Sequence, residues 1–379
     1  DNAQEAISDS YAAAGGYPIT GAVGGSSTYL VDDAGRIARS IDPIGRVTSY
    51  THDVHGNLTS VVGPLGASLT FTYDARGNRA STTDPLGNVT QFTYDESRRL
   101  TSSTDARGNT TRYGHDGQGN LSSITYADGN SRRFQYDPLG NLVQSTNGRG
   151  QVLRSEHDTA GRLVKKIYED NSTVTFAYDA RGNLIRAKDQ AGGITVMTYD
   201  LADNLVRIDY PDGRFLRFTY NVVGQRTQSV DQTGFTINHG YDALGRLTTL
   251  RDGNNNLIVR YSHDAAGRLV EKALGNGTYT TYTYDAAGSV LSIVNHAPRP
   301  APGLDGPVNS RFDYTYDALG RTASEKTLDG QWDYTYDVSG QLTRAVFTPA
   351  SGSAVPAQDL LYAYDAVGNR TRTVINGVT

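Results

Sequence analysis

The sequence predicts an all-β fold: a long antiparallel sheet of repeated 21-residue β-hairpins that curls into a spiral or cocoon-like wall. Three observations carry this expectation. The first is a fixed period. Asp53, Asp74, Asp95, Asp116, Asp137, Asp158, Asp179 and Asp200 each close a Tyr-Asp or His-Asp pair, Asn221 takes the next place, and Asp242 resumes the series, every step being 21 residues. A fixed period marks a repeat architecture, whose units bury their apolar faces only by stacking on neighbours. The second is strict alternation before each pair, as in Thr90, Phe92 and Tyr94 or Val174, Phe176 and Tyr178. Residues two apart share one face of a strand. The third is the turn chemistry that follows each pair, Asp-x-x-Gly, in which Gly supplies φ > 0 and Asp can accept from backbone N–H groups two residues on.

Residues 1–28, rich in Ala, Gly and Ser, read as an irregular lead-in, and residues 29–379 as one repeat domain. Within a unit, a Tyr-ended strand meets an Asp-x-x-Gly turn and returns through a Leu-centred strand such as Leu121–Ile124 or Leu163–Lys166. A second turn follows about ten residues after the first, as at Asp84, Asp105 and Asp212. The repeat motif residues are Tyr73, Asp74 and Gly77; Tyr94 and Asp95; Tyr136, Asp137 and Gly140; Tyr178, Asp179 and Gly182; Tyr199 and Asp200; Tyr241, Asp242 and Gly245; and Tyr284, Asp285 and Gly288. The 15 pairs of this type imply about 30 strands and, at about 4.8 Å per strand, a ribbon roughly 140 Å long. Strands twist, so a sheet of that length curls or closes.

The period breaks late. Steps of 22 and 21 residues lead to Asp264 and Asp285, then 32 to Asp317, 20 to Asp337 and 28 to Asp365. The two long steps hold His296–Ser310 and Phe347–Asp359, both rich in Pro, Ala and Gly, which read as loops projecting from a sheet edge.

Composition narrows the function. Net charge is −5, from 35 Lys+Arg against 40 Asp+Glu, and no basic block stands out, so the electrostatic footprint of a nucleic-acid binder is missing. Cys is absent, which excludes disulfides and thiolate metal sites. No apolar run is long enough for a membrane-spanning helix. The chain starts DNAQEAISDS, without a basic or apolar leader, and a section cut from a longer protein is the expectation for both ends.

The segments YDPLGNL (Tyr136–Leu142), YDARGNL (Tyr178–Leu184) and YDALGRL (Tyr241–Leu247) resemble the YD repeats of Rhs proteins. This family includes bacterial polymorphic toxins, the B and C components of insecticidal toxin complexes, and animal teneurins. The resemblance covers about nine-tenths of the chain. It implies a β-cocoon that, in the toxins, encloses a variable C-terminal effector domain. The family's Asp-Pro-x-Gly-Leu processing site is matched only in part by Asp42-Pro-Ile-Gly45, Asp84-Pro-Leu-Gly87 and Asp137-Pro-Leu-Gly140, each at an ordinary repeat turn.

Other readings were weighed on the residues. His52, His115, His157 and His263 precede an Asp, but each fills the Tyr slot, and adjacent strand residues point to opposite faces. No Ser or Cys lies in a nucleophile elbow. Rows of turn Asp could bind Ca²⁺, although turn formation already explains them. Sequons such as Asn57-Leu-Thr59 and Asn171-Ser-Thr173 arise from the repeat itself. A Tyr stripe could stack on glycans, although packing explains the same face.

The resulting expectation is a non-catalytic shell segment of a bacterial Rhs-type secreted toxin. No catalytic, cofactor or metal residues are assigned. The partners expected are the rest of the shell, a C-terminal toxin domain in cis, and secretion-apparatus proteins (a type VI system among them) or a chaperone. Nucleic acid is not expected. The alternatives are a cell-surface adhesion or carbohydrate-binding module, and an enzyme with its site in the loops at His296 and Phe347.

Overall fold

A computed structural model describes residues 16–20 and 26–378. They form 33 strands and no helix, from Gly16–Thr20 to Arg370–Ile375. Strands that follow one another in sequence pair antiparallel, as Ser68–Tyr73 does with Arg79–Thr83 and Phe215–Tyr220 with Arg226–Asp231. Tight turns join most of these hairpins, and no crossover is needed.

A β-bulge sits at nearly every Tyr slot. Thr72 pairs with Ser81, but Tyr73 pairs with Arg79, which leaves Ala80 as the extra residue. The same shift occurs between Ala177 and Tyr178 and between Thr219 and Tyr220. The bulge brings two consecutive residues of the Leu strand onto the Tyr face. Few of the described residues are buried, among them Phe71, Phe218, Ala273, Tyr279, Val294, Ala345, Phe347, Val374 and His296.

Contacts divide the chain into two units. The first holds residues 1–92, 104–108 and 261–379, and the second holds 93–103 and 109–260. Within the first unit, second-edge turns of early hairpins lie beside Tyr-Asp turns of late ones. Arg107 pairs with Asp365 at 3.0 Å. A groove of about 260 Å³ is lined by Asp42, Arg46 and Pro64 on one side and Ala318 and Leu319 on the other.

Two sequence expectations need correction. The lead-in over 1–28 contains a strand, Gly16–Thr20, paired with Ser26–Val31. The run Tyr-Pro-Ile-Thr holds the aromatic and β-branched residue types that strands favour. The rest of the lead-in up to Gly25 lies outside the described residues. The long late steps are not wholly loop. Val308–Tyr316 and Leu342–Pro349 run nine and eight residues, and their extra ends pair His296 with Val308 and Gly330 with Pro349. The connection before Val308–Tyr316 shortens to residues 297–307 and folds back onto the sheet instead of projecting, and the one after Leu342–Pro349 shortens to residues 350–357.

Candidate functional site

The repeating unit itself is the principal site, because its polar atoms are almost all committed. At Asp74, Oδ1 accepts from the backbone N–H of Arg76 (2.9 Å) and of Asn78 (2.8 Å), and Oδ2 accepts from the Asn78 side-chain amide (2.8 Å). Gly77 donates its N–H to the Asp74 carbonyl at 3.0 Å, with φ +79°. Asp137, Asp179 and Asp200 repeat this with Asn141, Asn183 and Asn204. Asp95, Asp158 and Asp242 repeat it with the guanidinium of Arg99, Arg162 and Arg246. Asp285 keeps only the backbone bond, from Ser289. Asn, Arg or Gln follows the Gly at most of these turns, and its side chain supplies the donor that Oδ2 accepts from. That signal is visible in the sequence.

These bonds hold the carboxyls of Asp74, Asp95, Asp137, Asp158, Asp179, Asp200 and Asp242 below the usual range. For Asp74 and Asp179 the side-chain amide is the largest cause, and for Asp95 and Asp242 the backbone N–H at the same residue is. Oxygen atoms so occupied are poorly placed to coordinate a cation.

Tyr does more than fill space. The Tyr73 hydroxyl donates to the Leu58 carbonyl at 2.7 Å, fifteen residues earlier. Tyr178, Tyr199, Tyr220, Tyr241 and Tyr284 reach the carbonyls of Leu163, Leu184, Leu205, Arg226 and Leu269 in the same way. Each bond ties one hairpin to the preceding one. Where Arg follows the turn Gly, a second tie forms. Arg162 bonds Asp158, lies 4.9 Å from the Tyr178 ring centroid, and donates to the Asp179 carbonyl at 3.2 Å. Arg268 does likewise with Tyr284 and Asp285. The phenol oxygen explains why Tyr, not Phe, dominates the slot.

Histidine in the slot cannot make the hydroxyl bond, and Nδ1 of His157 is buried without a partner. In each His-Asp pair the Asp carboxylate is taken up by its own turn, at Asp53, Asp116, Asp158 and Asp264 alike.

The 297–307 connection builds a distinct cluster. Tyr279 is 2% exposed and stacks on His296 at 4.4 Å between ring centroids, with planes 4° apart. Its hydroxyl donates to Asp305 Oδ1 and accepts from the Gly306 N–H, both at 2.9 Å. His296 Nδ1 is 3.1 Å from the Gly306 carbonyl and Nε2 is 3.3 Å from Thr281 Oγ1. Arg299 lies 3.7 Å from the Tyr279 ring centroid and pairs with Glu271. Every polar atom named here points at another protein group, so the cluster fastens the loop to the sheet. Phe347 likewise packs against Trp332, 5.2 Å between centroids, and is 4% exposed. Beside it, burial first and the Glu325 carboxylate second push the Tyr334 phenol up to about 12.

A shallow groove of about 670 Å³ lies at the turn edge of the second unit, lined by Arg132, Asn147, Gln151, Tyr168 and Asp170 among others. Among the described residues, no three His, Asp or Glu side chains converge as cation ligands.

The comparisons with known proteins follow from this geometry. The chain matches the RHS repeat over residues 31–68, 52–89, 73–110, 99–131 and 115–152. It matches the teneurin YD-shell over residues 143–260 and 253–374. The chain belongs to the Rhs/YD-repeat family. It is similar to the toxin protein Tse5 of Pseudomonas aeruginosa, 29% identical over 168 residues, which covers 36% of this chain and 12% of Tse5. It is also similar to the crystal structure of TcdB2-TccC3, with a TM-score of 0.78 and 17% identity over 94% of this chain and 22% of that one. A Tc holotoxin pore of Photorhabdus luminescens gives a TM-score of 0.77 at 16% identity, over 93% and 21%. The structural likeness establishes the shell fold. The chain spans about an eighth of Tse5 and about a fifth of the solved chains it matches.

Proposed function

We propose that this chain is a non-catalytic section of the shell of an exported bacterial toxin, which encloses an effector domain carried on the same polypeptide. The observation that carries the reading is the commitment of the repeat's own polar groups. Turn carboxylates are spent within their own turns, and Tyr hydroxyls and turn arginines on joining one hairpin to the next, so the wall is built for continuity. Such a wall works by steric exclusion, its strands paired with neighbours along the ribbon. The toxin relatives and the Tc shell likeness support the same reading. The glycan-binding alternative loses its main support, because the regular Tyr rings are half-buried and bonded within the sheet. The rest of the shell and a cis effector are the partners this reading needs.

A cryo-EM map of the full-length parent protein tests the proposal. The expected result is density for downstream polypeptide bounded on all sides by repeat strands. A downstream domain tethered outside the wall, or no such domain, would overturn it.

A further inference from the structure

The two faces of the ribbon differ in chemistry, and in the second unit the difference is one of charge. Tyr, the aromatic two residues earlier, and the Leu-strand residues just after the turn share one face. Residues one, three and five before Tyr lie on the other, together with those two and four after the Leu position. This second face carries Arg112, Arg133, Arg154 and Arg217 on Tyr-ended strands, and Arg186 and Lys188 on a Leu strand. Pairing places them at neighbouring levels: Gln144 opposite Arg154, Arg186 opposite Val196, and Arg207 opposite Arg217. All six are exposed. Hairpins recur about every 10 Å, so the cations form a row along the ribbon.

Acids on this face do not balance the row. Its strands carry two in the second unit, Glu156 and Asp209, which pair with Lys165 (3.0 Å) and Arg207. Arg112, Arg133, Arg154, Arg186 and Lys188 have no carboxylate partner among the described residues. Arg207 and Arg217 stand directly opposite each other, with the Phe215 ring 4.4 and 4.9 Å from their guanidinium carbons. Like charges in that position weaken a sheet. Asp209, bonded to Arg207, is the carboxylate beside them, so the group of three keeps a net positive charge.

We infer that this face of residues 109–260 is a docking surface for an acidic segment of polypeptide. The surroundings of the row favour a peptide over nucleic acid. Turn carboxylates rim both ends of the strands, Asp116, Asp137 and Asp158 on one edge and Asp170, Asp189 and Asp212 on the other. Strands of five or six residues are only about 17–20 Å long, so a duplex lying on the row would meet both rims. An extended peptide running along the row stays between them. Thr, Ser and Gln side chains interleave with the cations, such as Ser123 opposite Arg133 and Gln144 opposite Arg154, and they can bond a peptide backbone. The occupant is an acidic segment of another polypeptide, so the inference does not depend on enclosure.

The test uses this 379-residue chain and a fluorescein-labelled 15-residue polyglutamate peptide, read by anisotropy at 50 and 300 mM NaCl. Binding is expected at low salt and should weaken steeply at high salt, because row spacing is close to a Debye length. The triple variant R133E/R154E/R186E should bind at least about tenfold more weakly. The neutral triple R133Q/R154Q/R186Q should fall between it and wild type. R149E, at an exposed turn off this face, should bind within about twofold of wild type. Far-UV circular dichroism checks that each variant is folded. No polyglutamate binding at 50 mM NaCl, equal loss in R149E, or preferential binding of a 20-nucleotide oligo-dT would each overturn the proposal.

Discussion

Replacing Tyr220 by Phe removes one atom and nothing else of the packing. The ring stays beside Phe218, and the hydroxyl bond to the Leu205 carbonyl, 2.7 Å long, is lost. A typical intramolecular hydrogen bond contributes about 0.5–1.5 kcal/mol net, so about 1 kcal/mol is the expected cost. In a repeat array, stability is close to a sum of unit and neighbour terms. The loss should therefore remain local to the hairpins joined by that bond. Amide hydrogen exchange by mass spectrometry reads it directly. Peptides covering Leu205–Asp209 and Phe215–Tyr220 should exchange about fivefold faster, the factor that corresponds to 1 kcal/mol. Peptides covering Thr110–His115 should be unchanged. Equal acceleration everywhere, or none in the 205–220 hairpins, would refute the argument that the hydroxyl is a hairpin-to-hairpin tie.

The converse change should stabilise. His157 occupies the Tyr slot fifteen residues after Leu142, so His157→Tyr should gain a similar bond and slow local exchange several-fold in the same assay. Gly182 has φ +96°, and Gly182→Ala should cost about 1–2 kcal/mol in denaturant titration, whereas Gly182→Asn should cost less, since Asn171 and Asn255 adopt φ +62° and +68° in equivalent turns. Acid should loosen the turns together. The carboxyls of Asp74, Asp137 and Asp200 sit below the unfolded value of about 3.9, so their stabilisation is fully present above that pH and is lost as pH falls through the lower folded values. Circular dichroism from pH 5 to pH 2 should show a cooperative loss of strand signal, and an unchanged spectrum at pH 2 would contradict it. Tyr279→Phe strips the Gly306 N–H and Asp305 of their partner, and should make residues 297–307 sensitive to protease while the sheet survives.

Much of this organisation was legible in the sequence. Period, alternation and Asp-x-x-Gly turns located the hairpins, because strand and turn preferences are local. The ties were not legible, because they depend on register. Nothing in Tyr220 alone says that its hydroxyl meets Leu205, and only the bulge at the Tyr slot brings that strand's residues to the same face. The Asn or Arg after the turn Gly was in plain view, and its role follows once Asp Oδ2 is asked for a donor. The basic row escaped for a related reason. Arg112, Arg133 and Arg154 are 21 residues apart, so no stretch of sequence looks basic, and folding alone collects them. The Tyr279–His296 cluster joins a regular strand to a loop that reads as mere interruption, and the Asp305-Gly306 pair that closes it resembles any other turn.

The most direct test of the shell account joins the ties to shielding. In the full-length parent, the segment downstream of the wall is digested by a non-specific protease and followed by mass spectrometry. The account predicts that the wild-type wall protects it and that Y199F/Y220F/Y241F, with three hairpin ties removed, speeds its cleavage by about tenfold or more. Cleavage of that segment at the same rate in both proteins would contradict the account.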